Sequence, residues 1–246
     1  SRGEELGYAT IVIGDHIVFP TTVESDYPYT VGGAFPGQGD ALEQLTLMSF
    51  IAAKTKTARL VTSVMILPHR NPLVTAKVLA TIDVLSKGRV TVGVGVGWMR
   101  EEFEALSAPD FDKRGASSNE YIRIFKKCWT EDPVSFDGEF YSFKELRCVP
   151  HPVQKPHPPI WVGGASDAAL RRTVRLGDAW HPIRFQEGWF RDEGIPRLKA
   201  IAAEEGAAMP ALCPRIRLRL FDTPLDDDER IMGNGNAEQV HHDLAV

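Results

Sequence analysis

The chain of 246 residues carries 28 Lys and Arg against 33 Asp and Glu, and the net charge of -5 argues against a phosphate-backbone partner, so no nucleic-acid role is expected. A hydrophobic content of 43% and a charged content of 25% are ordinary for a globular protein with its own core. Cys128, Cys148 and Cys213 are isolated and odd in number, which argues against a disulfide framework or zinc knot. No apolar run reaches membrane-span length and Ser1–Leu6 is no signal peptide, so no membrane association is expected and the cytoplasm is the expected compartment.

Ser1 to Leu6 reads as the tail of a helix and Ala9 to Ile13 as an apolar strand. Gly14-Asp15-His16 then opens a loop rich in Pro, Gly and Thr that reaches about Asp40, longer than a purely structural connection needs. Ala41 to Thr55 is helical by the spacing of Leu42, Leu45, Met48, Ile51 and Ala52. A strand over Arg59–Val64 runs into a loop, Met65–Arg70. Asn71-Pro72 then opens a helix to Ser86, with Asn as N-cap and Pro at the first helical position. Lys87-Gly88 supplies a C-terminal cation and a left-handed cap. His69 and Arg70 read as exposed loop residues.

The next strand, Arg89–Trp98, places Gly93, Gly95 and Gly97 at every second residue, so one strand face is cleared for a flat ligand or another backbone. Glu101 and Glu102, on the turn that follows, read as a solvated charged face. Arg114 to Thr130 is an amphipathic helix with Tyr121, Ile124, Phe125 and Cys128 on one side. Pro133–Tyr141 is a hairpin-like excursion around a tight Asp137-Gly138 turn, and proline-dense Pro150–Pro159 is an extended linker into the strand Ile160–Val162. Gly163-Gly164-Ala165-Ser166 separates that strand from a helix over Ala168–Leu176. There, free N–H groups and the helix dipole favour an anion, with a plain turn as the alternative. Gly177–Trp180 and Arg215–Phe221 read as short strands, and Gly235–Val240 as the start of a helix.

Strands alternating with helices predict an α/β fold with a parallel sheet, closed as a (β/α)₈ TIM barrel or opened as a doubly wound sheet. Six strands are credible and a barrel needs eight, so its first strand would precede Ser1 and its last would follow Val246. The expectation is one barrel domain over 1–246, with insertions at about 17–40 and 131–159.

Seven blocks, in order, resemble the luciferase-like monooxygenase superfamily and, within it, the coenzyme F420-dependent oxidoreductases. They are Asp15-His16, Leu60 to Pro72, Leu85 to Arg89, Gly93 to Glu102, Trp129 to Pro133, Pro152 to Gly164 and Leu176 to Trp180. The resemblance implies a TIM barrel with a cofactor ring at the carboxyl ends of its strands, the face where such barrels place their active sites. It implies Asp15 as a ring ligand, His16 as proton donor or acceptor, and an unusual cis peptide at Ser63-Val64 behind the ring. Ile66, Val96, Gly97 and Trp98 would line the ring, and Gly163, Gly164, Ala165 and Ser166 would take the cofactor's phosphate and ribityl chain. An arbitrary Asp-His pair is more often a capping or core contact; its place at a strand end before an overlong loop, together with the resemblance, supports the functional reading. Some sugar-phosphate dehydrogenases of this branch carry an acidic catalytic residue where this chain has Trp98, so their substrate and proton relay do not transfer.

By this resemblance the function is hydride transfer between coenzyme F420 and a small-molecule organic substrate, by a homo-oligomer, a dimer. Two alternatives stand beside it: an FMN-dependent monooxygenase with oxygen and a flavin reductase partner, and a non-catalytic flavin-binding protein. Hydrophobic residues of Tyr27–Phe35, with Trp98 and Trp180, would wall the substrate space, and Arg70 has a lesser claim on the cofactor's tail. A metal hydrolase is disfavoured and no metal is expected, because His151, His157 and His181 lack convergent ligand spacing.

Overall fold

The computed structural model describes residues 1–30, 33, 35, 41–226 and 230–245, so much of the loop expected up to Asp40 lies outside the described residues. A short helix α1 (Arg2–Glu5) precedes strand β1 (Thr10–Ile13), helix α2 (Gln44–Lys54) and strand β2 (Arg59–Thr62). The expected strand to Val64 stops at Thr62. The Ser63-Val64 peptide is cis, and the chain resumes as a separate strand, β3 (Met65–Ile66), where a loop was expected.

Helix α3 (Pro72–Ser86) has the predicted bounds. The Asn71 side chain accepts hydrogen bonds from the Leu73 and Val74 amides at 3.0 and 3.2 Å. At the other end both Lys87 (φ 61) and Gly88 (φ 80) are left-handed, and their amides close back on Val84 and Asp83 carbonyls. Strand β4 (Val90–Gly95) is shorter than the ten residues expected. All of these pairings are parallel. β1 aligns Ile13 with Thr62 on β2; β4 pairs its first residues with β2 (Leu60 with Val90) and its last with β3 (Ile66 with Gly95).

The interruption after Thr62 is matched by the glycines opposite. A Cβ on Gly93 would lie 2.0 Å from the Thr62 carbonyl oxygen, and one on Gly95 would lie 2.6 Å from a Val64 methyl. Of the two uses expected for the cleared strand face, close approach by the chain's own backbone is the one realised at Gly93.

Helix α4 (Arg100–Ala105) is followed by α5 (Arg114–Thr130), whose predicted bounds also hold, and which buries Tyr121, Ile124, Phe125, Cys128 and Trp129. The Trp129 indole donates to the Ala76 carbonyl of α3 at 3.0 Å, fixing the two helices side by side. Strands β5 (Val134–Asp137) and β6 (Ser142–Leu146) form the antiparallel hairpin. Asp137 pairs with Ser142, so the connection is the four residues 138–141 rather than the tight two-residue turn expected. The extended proline-rich linker is pinned by the buried Asp83 carboxylate, which accepts from the Val153 and Gln154 amides at 2.9 and 3.1 Å. These elements make one compact unit, Ser1–Ile160, with a core around Leu60, Val61, Leu79, Val92 and Ile124.

The second unit is Trp161–Val246. It takes in strand β7 (Ile160–Val162) from its second residue, helix α6 (Asp167–Leu176), strand β8 (Ala179–Trp180) and helix α7 (Glu187–Trp189). A π-turn, Phe190–Gly194, joins α7 to α8 (Ile195–Glu204), and strand β9 (Ala211–Leu212) follows. β7, β8 and β9 are parallel, with Trp161 beside Ala179 and Ala179 beside Ala211. The strand expected over Arg215–Phe221 is realised only in part: Arg215 makes a single parallel bridge to Ile183, and Arg219–Leu220 (β10) pairs, among the described residues, with Asn234–Gly235 (β11), ahead of helix α9 (Ala237–Ala245). Among the described residues no helix is long and apolar enough to cross a membrane.

Candidate active site

Two residues past β1, Asp15 and His16 stand at the carboxyl end of the parallel strands, and each is held by charged residues far away in sequence. The Asp15 side chain is fully buried. Its Oδ2 accepts from the Ile66 amide at 2.8 Å, and both its oxygens accept from the Arg70 guanidinium at 2.7 and 2.8 Å. Arg70 also donates to Glu43 at 2.8 Å. Arg70 is thus not the exposed loop residue expected: its planar fork matches a carboxylate bidentately, and its charge is committed to Asp15 and Glu43. Burial by itself would raise the Glu43 carboxyl, but the bonds from Arg70 and Thr46 outweigh it and bring it to about 2.

His16 is held by a residue that the sequence reading assigned to solvent. Glu102 is fully buried at the start of α4, and its Oε2 lies 2.9 Å from His16 Nδ1. Its Oε1 accepts from the Ile17 amide at 2.8 Å and the Val18 amide at 3.4 Å. Burial opposes ionisation, yet the hydrogen bonds from His16 and Ile17, with His69 alongside, hold this carboxyl below the ordinary range. Glu101, partly exposed, accepts from the Glu24 and Ser25 amides at 2.6 and 2.9 Å and from the Ser25 hydroxyl at 2.7 Å. Neither acid is the solvated charge expected, because each faces unpaired main-chain N–H groups of the loop after β1.

His69 is a second correction. Its side chain is 1% exposed, and its Nδ1 lies 3.7 Å from Glu102 Oε1, beyond hydrogen-bond reach. Neither ring nitrogen has a hydrogen-bond partner among the described residues. Burial lowers this imidazole to about 4 despite the neighbouring Glu102 and Asp15 carboxylates, so the ring is neutral at ordinary pH.

Around His16 the surface is aromatic and apolar. Its ring lies 4.8 Å from Phe19, 5.3 Å from Phe35 and 6.3 Å from Trp98, and Tyr27 and Phe35 meet Trp98 at 4.9 and 5.1 Å. This brings Tyr27 and Phe35 together with Trp98. The body of β4 is buried, but Gly95, Val96, Gly97 and Trp98 are half-exposed, as is Val64 opposite Gly95. Gly97 has φ 85, and a Cβ there would meet Phe103 at 2.6 Å and Ile66 at 2.9 Å, so this bend admits only glycine without strain. The result is a half-exposed apolar ledge bordered by an imidazole and an indole, which fits a flat ring system better than a hydrated polar ligand. A cavity of about 370 Å³ adjoins the Arg70–Glu43 pair, where those two residues line it together with Leu45, Ser49, Val74 and Val78 of α2 and α3.

In the second unit, Gly163 and Gly164 are half-exposed and Ala165 and Ser166 exposed, ahead of α6. The Ser166 hydroxyl caps the helix by accepting from the Ala169 amide at 3.3 Å, and the Gly164 carbonyl accepts from the Trp180 indole at 2.8 Å. Trp180 itself is fully buried in a cluster with Phe185, Phe190 and Leu198, which makes it a core residue rather than the substrate wall expected. His181 is buried too, with Nδ1 against the Cys213 carbonyl; burial holds it below the ordinary histidine value. Among the described residues no group of three or more His, Cys, Asp or Glu could hold a metal ion.

The family description of the luciferase-like monooxygenases matches residues 1–232. The chain is 37% identical over 147 residues to an FMNH(2)-dependent dimethylsulfone monooxygenase of Pseudomonas putida. That match takes in 59% of this chain but only 40% of the relative, so well under two thirds of the relative's length is represented. A solved F420-dependent secondary alcohol dehydrogenase superposes with a TM-score of 0.71 at 17% identity, covering 100% of this chain and 75% of that one. The monooxygenase RslO1 from Streptomyces bottropensis gives a TM-score of 0.69 at 22% identity, covering 98% and 69%. These structural likenesses are of fold, the α/β fold of the luciferase-like TIM-barrel proteins.

Proposed function

The chain belongs to the luciferase-like monooxygenase family, and on that premise we propose that it moves a hydride between coenzyme F420 and a small organic substrate. The observation that carries this reading is His16, a half-buried imidazole whose Nδ1 is held by Glu102 beside the apolar ledge of Val64 and Gly95–Trp98. Bound at that ledge, a deazaflavin supplies hydride chemistry; the protein supplies position, dryness and a proton.

Ser63, Val64, Ile66, Val96, Gly97 and Trp98 would seat the ring, and Asp15 would hold the Ile66 turn in place through the amide bond it already accepts. His16 would exchange a proton with a substrate oxygen, a task suited to imidazole because its second ring nitrogen can take up or release a proton while the first stays hydrogen-bonded. Phe19, Tyr27, Phe35 and Trp98 would keep water from that exchange. In the second unit, Gly163, Gly164, Ala165 and Ser166 are proposed to offer backbone N–H groups to a phosphate. A homodimer belongs to the same proposal.

A second reading is supported by the Pseudomonas putida relative: reduced FMN as the cofactor, with oxygen and a flavin reductase partner. Titration of the apo protein with coenzyme F420 and separately with FMN, followed by tryptophan fluorescence, separates the two. Preference for the deazaflavin, followed by substrate-dependent change in its absorbance, supports hydride transfer. Preference for FMN with substrate-dependent oxygen consumption supports the monooxygenase, FMN binding without turnover supports a non-catalytic flavin protein, and binding of neither overturns both cofactor readings. Unchanged turnover in His16→Ala would remove the acid–base role.

A further inference from the structure

Glu101 and Glu102 are consecutive residues on a six-residue helix, yet all six of their side-chain hydrogen bonds given above run to one segment, residues 16–25, some 76 to 86 positions earlier in the chain. Glu102 grips the imidazole of His16 and the main chain immediately after it, at Ile17 and Val18. Glu101 grips the far end of the segment at Glu24 and Ser25. A carboxylate with no solvent contact is tolerable only when its oxygens are supplied with donors, and three come from consecutive residues of this segment.

We propose that Glu102 is a positioning residue for His16: it keeps the ring's hydrogen on Nδ1 and leaves Nε2 as the nitrogen that takes up or releases a proton. The inference deepens the functional reading above and rests on His16 being the proton donor or acceptor. An ionised carboxylate only accepts hydrogen bonds, so at 2.9 Å the ring nitrogen facing it must be the donor. The other candidate partner of Glu102 does not compete, because His69 Nδ1 stands at 3.7 Å and its ring is neutral. During turnover Nε2 would take a proton from a substrate O–H while the substrate's C–H hydride passes to an oxidised deazaflavin and a carbonyl is left, or in reverse would return the proton to the carbonyl oxygen as a reduced deazaflavin gives the hydride back, with the Nδ1–H bond staying with Glu102 throughout. The imidazolium formed is balanced by the Glu102 carboxylate. The two main-chain bonds to the same carboxylate fix the backbone on which the ring turns, so ring direction and tautomer are set by one group.

The test is nitrogen-15 NMR of the full chain with labelled histidine, at a pH where the His16 ring is neutral, with His16→Gln used for assignment. The wild-type ring is expected to carry its hydrogen on Nδ1. In Glu102→Gln, whose amide can donate as well as accept, the ring is expected to become a mixture of both tautomers. A wild-type ring with its hydrogen on Nε2, or a Glu102→Gln ring still wholly Nδ1-protonated, overturns the proposal; the first result stands even if the variant does not fold. Turnover of His16→Ala is a separate measurement. If it is undiminished, the acid–base reading falls while the tautomer result still decides whether Glu102 controls the ring.

Discussion

A neutral imidazole sealed in a core, with no hydrogen-bond partner among the described residues, makes folding stability depend on pH, and His69 allows the size of that dependence to be worked out. Burial lowers it from 6.5 to about 4. A histidine with a lower pKa in the folded state binds its proton more readily when the chain unfolds. Its contribution is therefore complete above 6.5 and is lost as the pH falls through 6.5 toward 4. Linkage with these two values gives a loss of about 2 kcal/mol by pH ~5 and about 3 kcal/mol once the folded form is also protonated. Leucine at this position has similar bulk, keeps the apolar contact with Phe103, and removes both the titration and two unpartnered nitrogens. Urea denaturation of wild type and His69→Leu between about pH 8 and pH 5 should show the wild type losing about 2 kcal/mol more than the variant. Parallel stability profiles for the two proteins would refute a buried neutral His69.

Other perturbations have definite expected outcomes. Arg70→Ala leaves the fully buried Asp15 carboxylate with only the Ile66 amide and should cost about 3 kcal/mol, a fall in Tm of about 6 to 12 °C, whereas Asp15→Asn on that background should restore part of the loss. A fall of under about 2 °C would show the pair to be dispensable. Gly93→Ala should fail to fold or lose more than about 3 kcal/mol, because the new methyl meets a backbone carbonyl at 2.0 Å; Gly95→Ala meets a side chain and should be milder, and the reverse order in thermal melts would contradict this packing. Glu101→Ala should speed amide hydrogen exchange at Glu24 and Ser25 several-fold while changing Tm by little, since its bonds are partly exposed; unchanged exchange would show that the Glu101 carboxylate does not hold them.

The elements whose signals are local were legible in the sequence. Helices α3 and α5 begin and end where capping residues and apolar spacing place them, because Asn71, Pro72 and the Tyr121–Cys128 stripe act within a few residues. The Asp15-His16 pair could be singled out because it follows a strand and precedes a long loop. What holds that pair was hidden, since Arg70 lies 55 positions from Asp15 and Glu102 lies 86 from His16. A helix of six residues has too few turns to declare an inward face, so two adjacent acids read as solvated. The available hint was Phe103: a buried aromatic directly after Glu102 on a short helix turns that end of the helix toward the interior. The break after Thr62 and the two-residue strands β3 and β9 were invisible for a related reason, since two residues carry no alternation to detect, whereas β8 was found within Gly177–Trp180.

Most of the bonds that tie residues 17–25 to the acidic pair go to main-chain amides, and a main-chain amide is the same in nearly every residue type. Ile17, Val18 and Glu24 can therefore be replaced by most residues other than proline without unfastening the loop. His16 and Glu102 would stay aligned through such changes, so residues 17–25 are free to drift in side chain while the path of their backbone is kept.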